Sequence, residues 1–246
     1  MSDPVLRVEK LVAGYVRDLP ILWEVDLKLN AGSMTVIIGP NGAGKSTLIK
    51  AIAGIVPVHS GLIQVEGRSL LGMRPDQMSR HGLAYVPQTD NIFRKLTIRQ
   101  NLDLVLRPLS LRQREERREV LLVRFPTLRE KQEIRAGALS GGQRQMLAIA
   151  MALACEPRIL LMDEPSAGLS PKVAQEVLEQ AHALTSQGVS VLLVEQNVKQ
   201  ALRFADYCYL LADGRNQLSG PAATILQSPL IGEIYLGGNR IPEVAS

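Results

Sequence analysis

One segment of the chain combines glycines, a lysine and hydroxyl side chains in the order that phosphate binding requires. The segment reads Gly39, Pro40, Asn41, Gly42, Ala43, Gly44, Lys45, Ser46 and Thr47. Up to Ser46 it fits the pattern G-x-x-x-x-G-K-[ST], and it lies between an apolar strand pattern and a helical pattern. Glycines let the backbone wrap around phosphates, while backbone N–H groups and a helix N-terminus attract anions. We predict that this segment binds a nucleotide, with Lys45 at the β- and γ-phosphates and Ser46 on Mg²⁺.

Two neighbouring carboxylates follow a strongly apolar run later in the chain. The run Ile159–Met162 reads as a buried strand, and Asp163 and Glu164 come directly after it. Ligands of open α/β sheets collect at the carboxyl ends of strands, so we expect these acids beside the phosphates. Asp163 is suited to hold Mg²⁺ or its water ligands, and Glu164 to act as general base on the water that attacks the γ-phosphate. The acidic pair indicates catalysis because a phosphate loop precedes it in the chain. An apolar run that ends in two acids is weak evidence by itself.

The periodicity of the chain predicts the elements that position these residues. Runs of β-type residues that read as strands occur at Leu6–Val12, Val25–Leu29, Met34–Ile38, Leu62–Val65, Leu83–Val86, Ile159–Met162, Val189–Val194 and Tyr207–Leu211. The later strands alternate with helical patterns such as Pro171–Gln187, which indicates a parallel α/β sheet. The early strands are joined by short turns, which favours an antiparallel sheet. Between Thr89 and Ala154 only helices are predicted, as an insertion in the α/β core.

Length and composition limit the class of protein. The 246 residues allow one sizeable domain, and 46% hydrophobic and 21% charged residues are typical of a globular protein. The longest apolar stretch, Met146–Cys155, is about half of what a bilayer-crossing helix needs, and the first residues lack a secretory pattern. We therefore expect a cytoplasmic protein. Cys155 and Cys208 lie far apart in apolar segments, which predicts reduced thiols in the core.

The basic charge does not by itself indicate nucleic acid. The net charge is +4, but the densest basic run, 112–118, is interleaved with Glu115 and Glu116. This pattern favours a solvated helix face, and no nucleic-acid partner is expected.

A third motif separates this chain from other nucleotide-binding proteins. Phosphate loops also occur in kinases, GTPases and many ATPases, so the first two motifs do not determine which function the nucleotide serves. The third motif reads Leu139, Ser140, Gly141, Gly142 and Gln143. Ser140 and the Gly-Gly backbone at a helix start would form a second anion site. With this motif, its apolar helix and the acidic strand after it, the chain resembles the ABC ATPases.

The resemblance implies a fold and a working assembly. The fold is α/β: a P-loop NTPase with a RecA-like parallel sheet core, an N-terminal antiparallel β-subdomain and an inserted helical subdomain. The whole chain, 1–246, is then one domain, with 89–155 as the helical signature subdomain and 1–88 and 156–246 as the β-subdomain and core. In the family, two subunits pair head to tail, and the signature of one closes over the ATP on the phosphate loop of the other. The chain would thus form a homodimer, or a heterodimer with a related ATPase subunit. Its further partners would be transmembrane permease subunits and, indirectly, a solute-binding protein, which together hold it at the inner face of the membrane.

Three further positions match the family. Tyr15 corresponds to the aromatic residue that stacks on adenine, although a packed tyrosine at a strand end is the alternative. Gln88 corresponds to the glutamine that senses Mg²⁺ and the attacking water, and 166–171 corresponds to the D-loop. The resemblance makes Gln88 both a catalytic residue and a Mg²⁺ ligand.

One position departs from the family pattern. Most ABC ATPases have a histidine that contacts the γ-phosphate after the strand Val189–Val194, whereas this chain has Gln196. A glutamine donates an amide hydrogen but does not titrate near neutral pH, so weaker γ-phosphate stabilisation is expected. The D-loop ends in Leu169-Ser170-Pro171 instead of Leu-Asp-Pro. Both departures, and the tail 235–237, resemble the second ATPase subunit of branched-chain (hydrophobic) amino-acid importers.

Four alternative functions are weighed against this one. Relatives in the same branch import urea or short-chain amides, and the segment 88–93 also resembles the ATPase of lipopolysaccharide export. A soluble ABC protein acting on ribosomes or DNA belongs to another class, but such proteins usually carry two ATPase cores or a long coiled-coil insertion. A regulatory module without activity would not need Lys45, Asp163, Glu164 and the signature. The sequence therefore predicts an ATPase that couples dimer closure to solute import.

Overall fold

The computed structural model describes residues 3–228 of the chain, which form two sheets surrounded by helices. A four-stranded antiparallel sheet has the order β2-β1-β4-β5, and a six-stranded sheet has the order β10-β9-β3-β8-β7-β6. The strands are β1 Leu6–Ala13, β2 Leu22–Leu29, β3 Met34–Ile38, β4 Val58–Val65, β5 Arg68–Ser69, β6 Leu83–Val86, β7 Ile159–Asp163, β8 Ser190–Val194, β9 Tyr207–Ala212 and β10 Arg215–Pro221. In the larger sheet all neighbours are parallel except β10, which runs antiparallel to β9.

The helices cover the larger sheet, and four of them lie between β6 and β7. The α-helices are α1 Lys45–Ile52, α2 Pro75–Met78, α3 Ile98–Val105, α4 Leu111–Arg124, α5 Pro126–Glu130, α6 Gly141–Leu153, α7 Pro171–Ala183, α8 Val198–Phe204 and α9 Ala222–Leu226. Helices α3 to α6 form the predicted helical insertion, and no strand is present there. Within residues 3–228, none of the helices is both long and apolar enough to cross a membrane.

The parallel strands are buried on both faces, which explains their continuous apolar sequences. All five residues of β3, β7 and β8 are buried. Along β3, Val36 and Ile38 pack in the core that includes the helical insertion, whereas Ile37 packs in the core beneath the antiparallel sheet. The sheet is therefore held from both sides, and its strand ends provide a rigid edge for a site.

That edge carries all the predicted catalytic segments. Strand β3 ends at Ile38 before the phosphate loop, and β7 ends at Asp163. Strand β8 ends two residues before Gln196, and β6 ends two residues before Gln88. Since these four strands are parallel, their carboxyl ends share one edge of the sheet.

All eight predicted strands are present. The structure also contains two strands that were not predicted, and one of the two cysteines is not buried as expected. Strands β5 and β10 were not predicted, because β5 has only two residues and β10 has a polar sequence that ends in Gly-Pro. The prediction that both cysteines are buried is wrong for Cys155, which follows the C-terminal end of α6 and is exposed, whereas Cys208 is buried in β9. The tail similarity at 235–237 lies outside the described residues.

Candidate functional site

The phosphate loop requires glycine at two of its positions for steric reasons. A Cβ atom added to Gly39 would lie 2.1 Å from the carbonyl oxygen of Leu211 in β9. Gly44 has φ +94°, and its Cβ would lie 2.7 Å from a methyl group of Leu22. The left-handed conformation of Gly44 starts helix α1 at Lys45, so the N-terminus of that helix faces the loop.

Lys45 lies inside this loop with its ammonium group held by the loop backbone. The side chain is 4% exposed, and Nζ donates to the carbonyl oxygens of Gly39 at 2.9 Å and Pro40 at 3.0 Å. Burial lowers the pKa of Lys45, and the nearby carboxylates, led by Glu164 and Asp163, oppose that shift. A buried cation at the N-terminus of a helix provides a strong site for an anion.

Two oxygen groups lie next to each other at the end of the loop. Ser46 Oγ donates to Asp163 Oδ1 at 2.8 Å, and the Tyr85 hydroxyl donates to Asp163 Oδ2 at 3.4 Å. Burial, together with Asp163, raises the pKa of Tyr85, so this hydroxyl remains a donor. A serine hydroxyl and a carboxylate at this distance are the hard oxygen ligands that Mg²⁺ prefers, so the residues fit the predicted ion.

Two amide groups meet on one carboxylate oxygen of Glu164. Gln88 Nε2 and Gln196 Nε2 each donate to Glu164 Oε2 at 2.7 Å. Glu164 is 6% exposed and has φ +48°, an unfavourable backbone conformation for a residue with a side chain. Two amide donors on one oxygen fix the direction of the carboxylate, which suits a group that accepts a proton.

A cavity of about 350 Å³ joins the phosphate loop to Gln88, Glu164 and Gln196. Its lining consists of Ile21, Asn41, Gly42, Ala43, Gly44, Lys45, Ser46, Thr47, Gln88, Glu164 and Gln196. The fold thus gathers predicted residues from four segments around one space. Gly39, Pro40 and Asp163 lie outside this lining. The first two support Lys45 and the third supports Ser46.

Tyr15 is not among the residues that line that cavity, and it is not a packed residue. It follows the end of β1 and its side chain is 58% exposed. The exposure contradicts the alternative of a tyrosine packed at a strand end. An exposed aromatic ring is available for stacking, so adenine contact stays a prediction.

The signature motif begins helix α6 and closes a hydrogen-bonded cap there. Gln143 N donates to Ser140 Oγ at 3.3 Å, and Ser140 N donates to Gln143 Oε1 at 3.1 Å. Leu139 is buried beside the helix. Gly141 lines a second cavity of about 230 Å³, which also reaches Gln88 and Glu164. The signature of a chain therefore lies close to Glu164 of the same chain, and Ser140 is exposed at the helix start.

The signature glycines also fit against the segment after β7. A Cβ on Gly141 would lie 2.7 Å from Leu169 Cδ2, and one on Gly142 would lie 2.3 Å from Val173 Cγ1. We expect Gly142→Ala to lower the free energy of unfolding by about 1–3 kcal/mol, because a β-branched valine has little freedom to move away. Alanine alone would favour the helix by up to about 1 kcal/mol.

The Val173→Ala background is expected to remove the loss of stability caused by Gly142→Ala. Without the valine methyl groups, Gly142→Ala is expected to be neutral or slightly stabilising in denaturant unfolding of the purified chain. An equal loss of stability with and without Val173 would contradict the packing explanation.

Two residues of the site were missed by the sequence analysis. Glu195 follows β8 and is 1% exposed, and Tyr85 lies in β6 against Asp163. The signal for Glu195 was available, since it follows a buried strand just as Glu164 does. Tyr85 gave no signal, because a tyrosine in a strand reads as ordinary packing.

Sequence comparisons match this chain to ABC transporter proteins, and the relatives named below cover most of its length. The family profile described as ABC transporter matches residues 22–167. The probable branched-chain amino acid transport ATP-binding protein LivF of Archaeoglobus fulgidus is 41% identical, over 95% of this chain and 99% of that protein. The high-affinity branched-chain amino acid transport ATP-binding protein BraG of Pseudomonas aeruginosa is 39% identical, over 92% and 97%. The lipopolysaccharide export system ATP-binding protein LptB of Escherichia coli is 33% identical, over 88% and 91%.

The solved structures agree as well. The ADP conformation of an ATP-binding cassette of an ABC transporter has a TM-score of 0.87 at 28% identity, over 96% of this chain and 100% of that chain. A nucleotide-free cassette has a TM-score of 0.84 at 27% identity, over 94% and 98%. The predicted fold class and the predicted resemblance are confirmed, whereas the subdomain bounds and the residue roles stay predictions. The chain belongs to the ABC transporter family, as an ATP-binding and ATP-hydrolysing subunit.

Proposed function

We propose that this subunit hydrolyses ATP in the cavity at the phosphate loop, with Glu164 as the general base. The observation that carries the proposal is the meeting of Gln88 and Gln196 on Glu164 Oε2, at the wall of the cavity that Lys45 also lines. A base held by two amides opposite a buried cation is arranged for attack of water on a terminal phosphate.

The other residues have binding roles in this proposal. The loop backbone and Lys45 bind the phosphates, and Tyr15 stacks on the adenine. Ser46 and Asp163 hold Mg²⁺ together with Gln88, and the ion would neutralise charge on the phosphate oxygens. The signature, 139–143, contacts the ATP of a partner subunit in a homodimer or a heterodimer. This last role is supported by its cap at the start of α6, where backbone N–H groups are available to an anion.

We expect Gln196→Ala to lower kcat about ten-fold, because it removes one of two charge-assisted bonds to Glu164 and Gln88 still provides the other. The Kd for ATP should change little. Gln196→His replaces the amide with an imidazole, which can also donate a hydrogen bond and which has a pKa near neutrality. The activity of this variant should therefore depend on pH around ~6.5. Steady-state hydrolysis between pH 5.5 and 8.5 measures both effects. Unchanged turnover in Gln196→Ala would remove Gln196 from the catalytic group.

The transport proposal concerns the import of branched-chain or other hydrophobic amino acids through a permease with a solute-binding protein. It is supported by LivF and BraG, which are about 40% identical and match almost end to end, whereas LptB is 33% identical. Permease subunits would hold the chain at the inner face of the membrane. Lipopolysaccharide export is the second candidate because LptB also matches most of the chain.

Purification of the tagged chain from native membranes in mild detergent tests the transport proposal. We expect the chain to bring down two permease subunits and a related ATPase, or a second copy of itself. The matched control is the same membrane treated with the tag alone. Recovery with lipopolysaccharide-binding membrane proteins would favour the second candidate, and recovery with ribosomes would contradict transport altogether.

A further inference from the structure

A buried carboxylate next to the switch residue has no part in the chemistry described so far. Glu195 lies between the end of β8 and Gln196, and it is 1% exposed. Its backbone N–H donates to the carbonyl oxygen of Ile37 in β3 at 3.2 Å, which ties it to the strand before the phosphate loop. No basic side chain among the described residues forms an ion pair with it within 4 Å. Burial of an unpaired charge is costly, so backbone donors must compensate for it.

The two oxygens of this carboxylate bind two different segments. Oε1 accepts from the backbone N–H of Ser166 at 3.0 Å, and Oε2 accepts from that of Gln196 at 3.2 Å. Burial raises the pKa of Glu195, and the bonds from Ser166 and Gln196 oppose the shift. Ser166 starts the segment 166–171, and Gln196 carries the amide that reaches Glu164.

These bonds complete a closed ring around the proposed base. Glu164 and Ser166 lie in one short stretch of the chain, and Glu195 and Gln196 lie in another. Two hydrogen bonds connect the two stretches: Ser166 N–H donates to Glu195, and the Gln196 amide donates to Glu164. The Glu164 N–H also donates to the carbonyl oxygen of Val194 at 2.9 Å. A shift of Glu195 would therefore move the amide of Gln196 away from the base.

We propose that Glu195 is a positioning residue for hydrolysis: it uses Ser166 as an anchor and holds Gln196 in place against Glu164. The inference rests on the proposed role of Glu164 as the base. A glutamine at this position offers one acceptor oxygen and presents an NH₂ group to the other backbone donor. An aspartate keeps the charge but is one methylene shorter, so it reaches the two donors less well.

Kinetics of Glu195→Gln, with and without Gln196→Ala, test the proposal. Alone, Glu195→Gln is expected to lower kcat about three- to ten-fold, while the Kd for ATP changes less than about two-fold. In the Gln196→Ala background it should lower kcat by at most about two-fold, since the group that it positions is already absent. Glu176→Gln, an exposed carboxylate change on α7, is the control and should leave kcat unchanged.

Two results overturn the inference. One is wild-type kcat in Glu195→Gln, and the other is an equal fold-loss of kcat with and without the Gln196 side chain. If Glu195→Gln fails to fold, Glu195→Asp replaces it in the same cycle, and an additive loss there has the same meaning. Failure of the positioning role of Glu195 can be distinguished from failure of the proposed function. Wild-type turnover in Glu164→Gln would reject the base, whereas a slow Glu164→Gln with an additive Glu195→Gln rejects only the positioning role.

Discussion

Glu164→Gln is expected to slow ATP hydrolysis by about 10²–10⁴-fold, the usual contribution of a general base. The amide has the shape of the carboxylate but cannot accept a proton from the attacking water. Its replacement also changes the two bonds at Oε2, because the amides of Gln88 and Gln196 would meet an uncharged partner. Binding of ATP depends on the phosphate loop and should persist, so ATP-bound dimers should accumulate.

Single-turnover hydrolysis and gel filtration with ATP and Mg²⁺ measure these two effects. Glu176→Gln is again the matched control, because it makes the same change outside the site. Turnover of Glu164→Gln at the wild-type rate would show that another group accepts the proton. Slow turnover without ATP-dependent dimers would leave the base in place but contradict the shared site.

Lys45→Ala is expected to weaken ATP binding by about 10²-fold or more, since it removes charge-assisted bonds to phosphate of roughly 1.5–3 kcal/mol each. The ammonium group is already buried in the loop, where Gly39 and Pro40 hold it beside the cavity. Its removal leaves those carbonyl oxygens without their donor and the cavity without its central cation. The loss should therefore exceed that of an exposed lysine.

A nucleotide titration of the purified subunit measures the change in Kd. Lys50→Ala is the matched control, because Lys50 lies in the last turn of the same helix and outside the cavity. Both variants remove one lysine from α1, but only Lys45 contacts the loop. Equal affinities in Lys45→Ala and the wild type would reject the assignment of the phosphate loop.

The sequence predicted the core of the fold because buried parallel strands have distinctive sequences. The runs at β3, β7 and β8 are apolar throughout, since both faces of each strand are covered. Strand β10 gave no such signal, because it is a polar edge strand paired only with β9. The exposure of Cys155 was not predictable from its apolar neighbours, because it follows the end of α6, where periodicity no longer indicates the buried face.

The candidate site was predictable where one short motif carries the chemistry. The phosphate loop, the acidic pair and the signature each have a residue pattern with a physical reason. The bond from the Gln196 amide to Glu164 was not predictable from a motif. The contact of Gln196 with the γ-phosphate stays a prediction. The bond from Gln196 to Glu164 and the one that Ser166 N–H donates to Glu195 Oε1 join segments far apart in the chain, so only the folded sheet brings them together.

ATP-dependent uptake by the reconstituted complex tests the central claim most directly. The subunit is purified with its permease and binding protein, inserted into proteoliposomes and supplied with ATP and Mg²⁺, and the uptake of radiolabelled leucine is followed. We expect accumulation of leucine with the wild-type subunit and none with Glu164→Gln, although both bind ATP. A complex that hydrolyses ATP through Glu164 but accumulates no branched-chain or other hydrophobic amino acid would contradict the proposed transport.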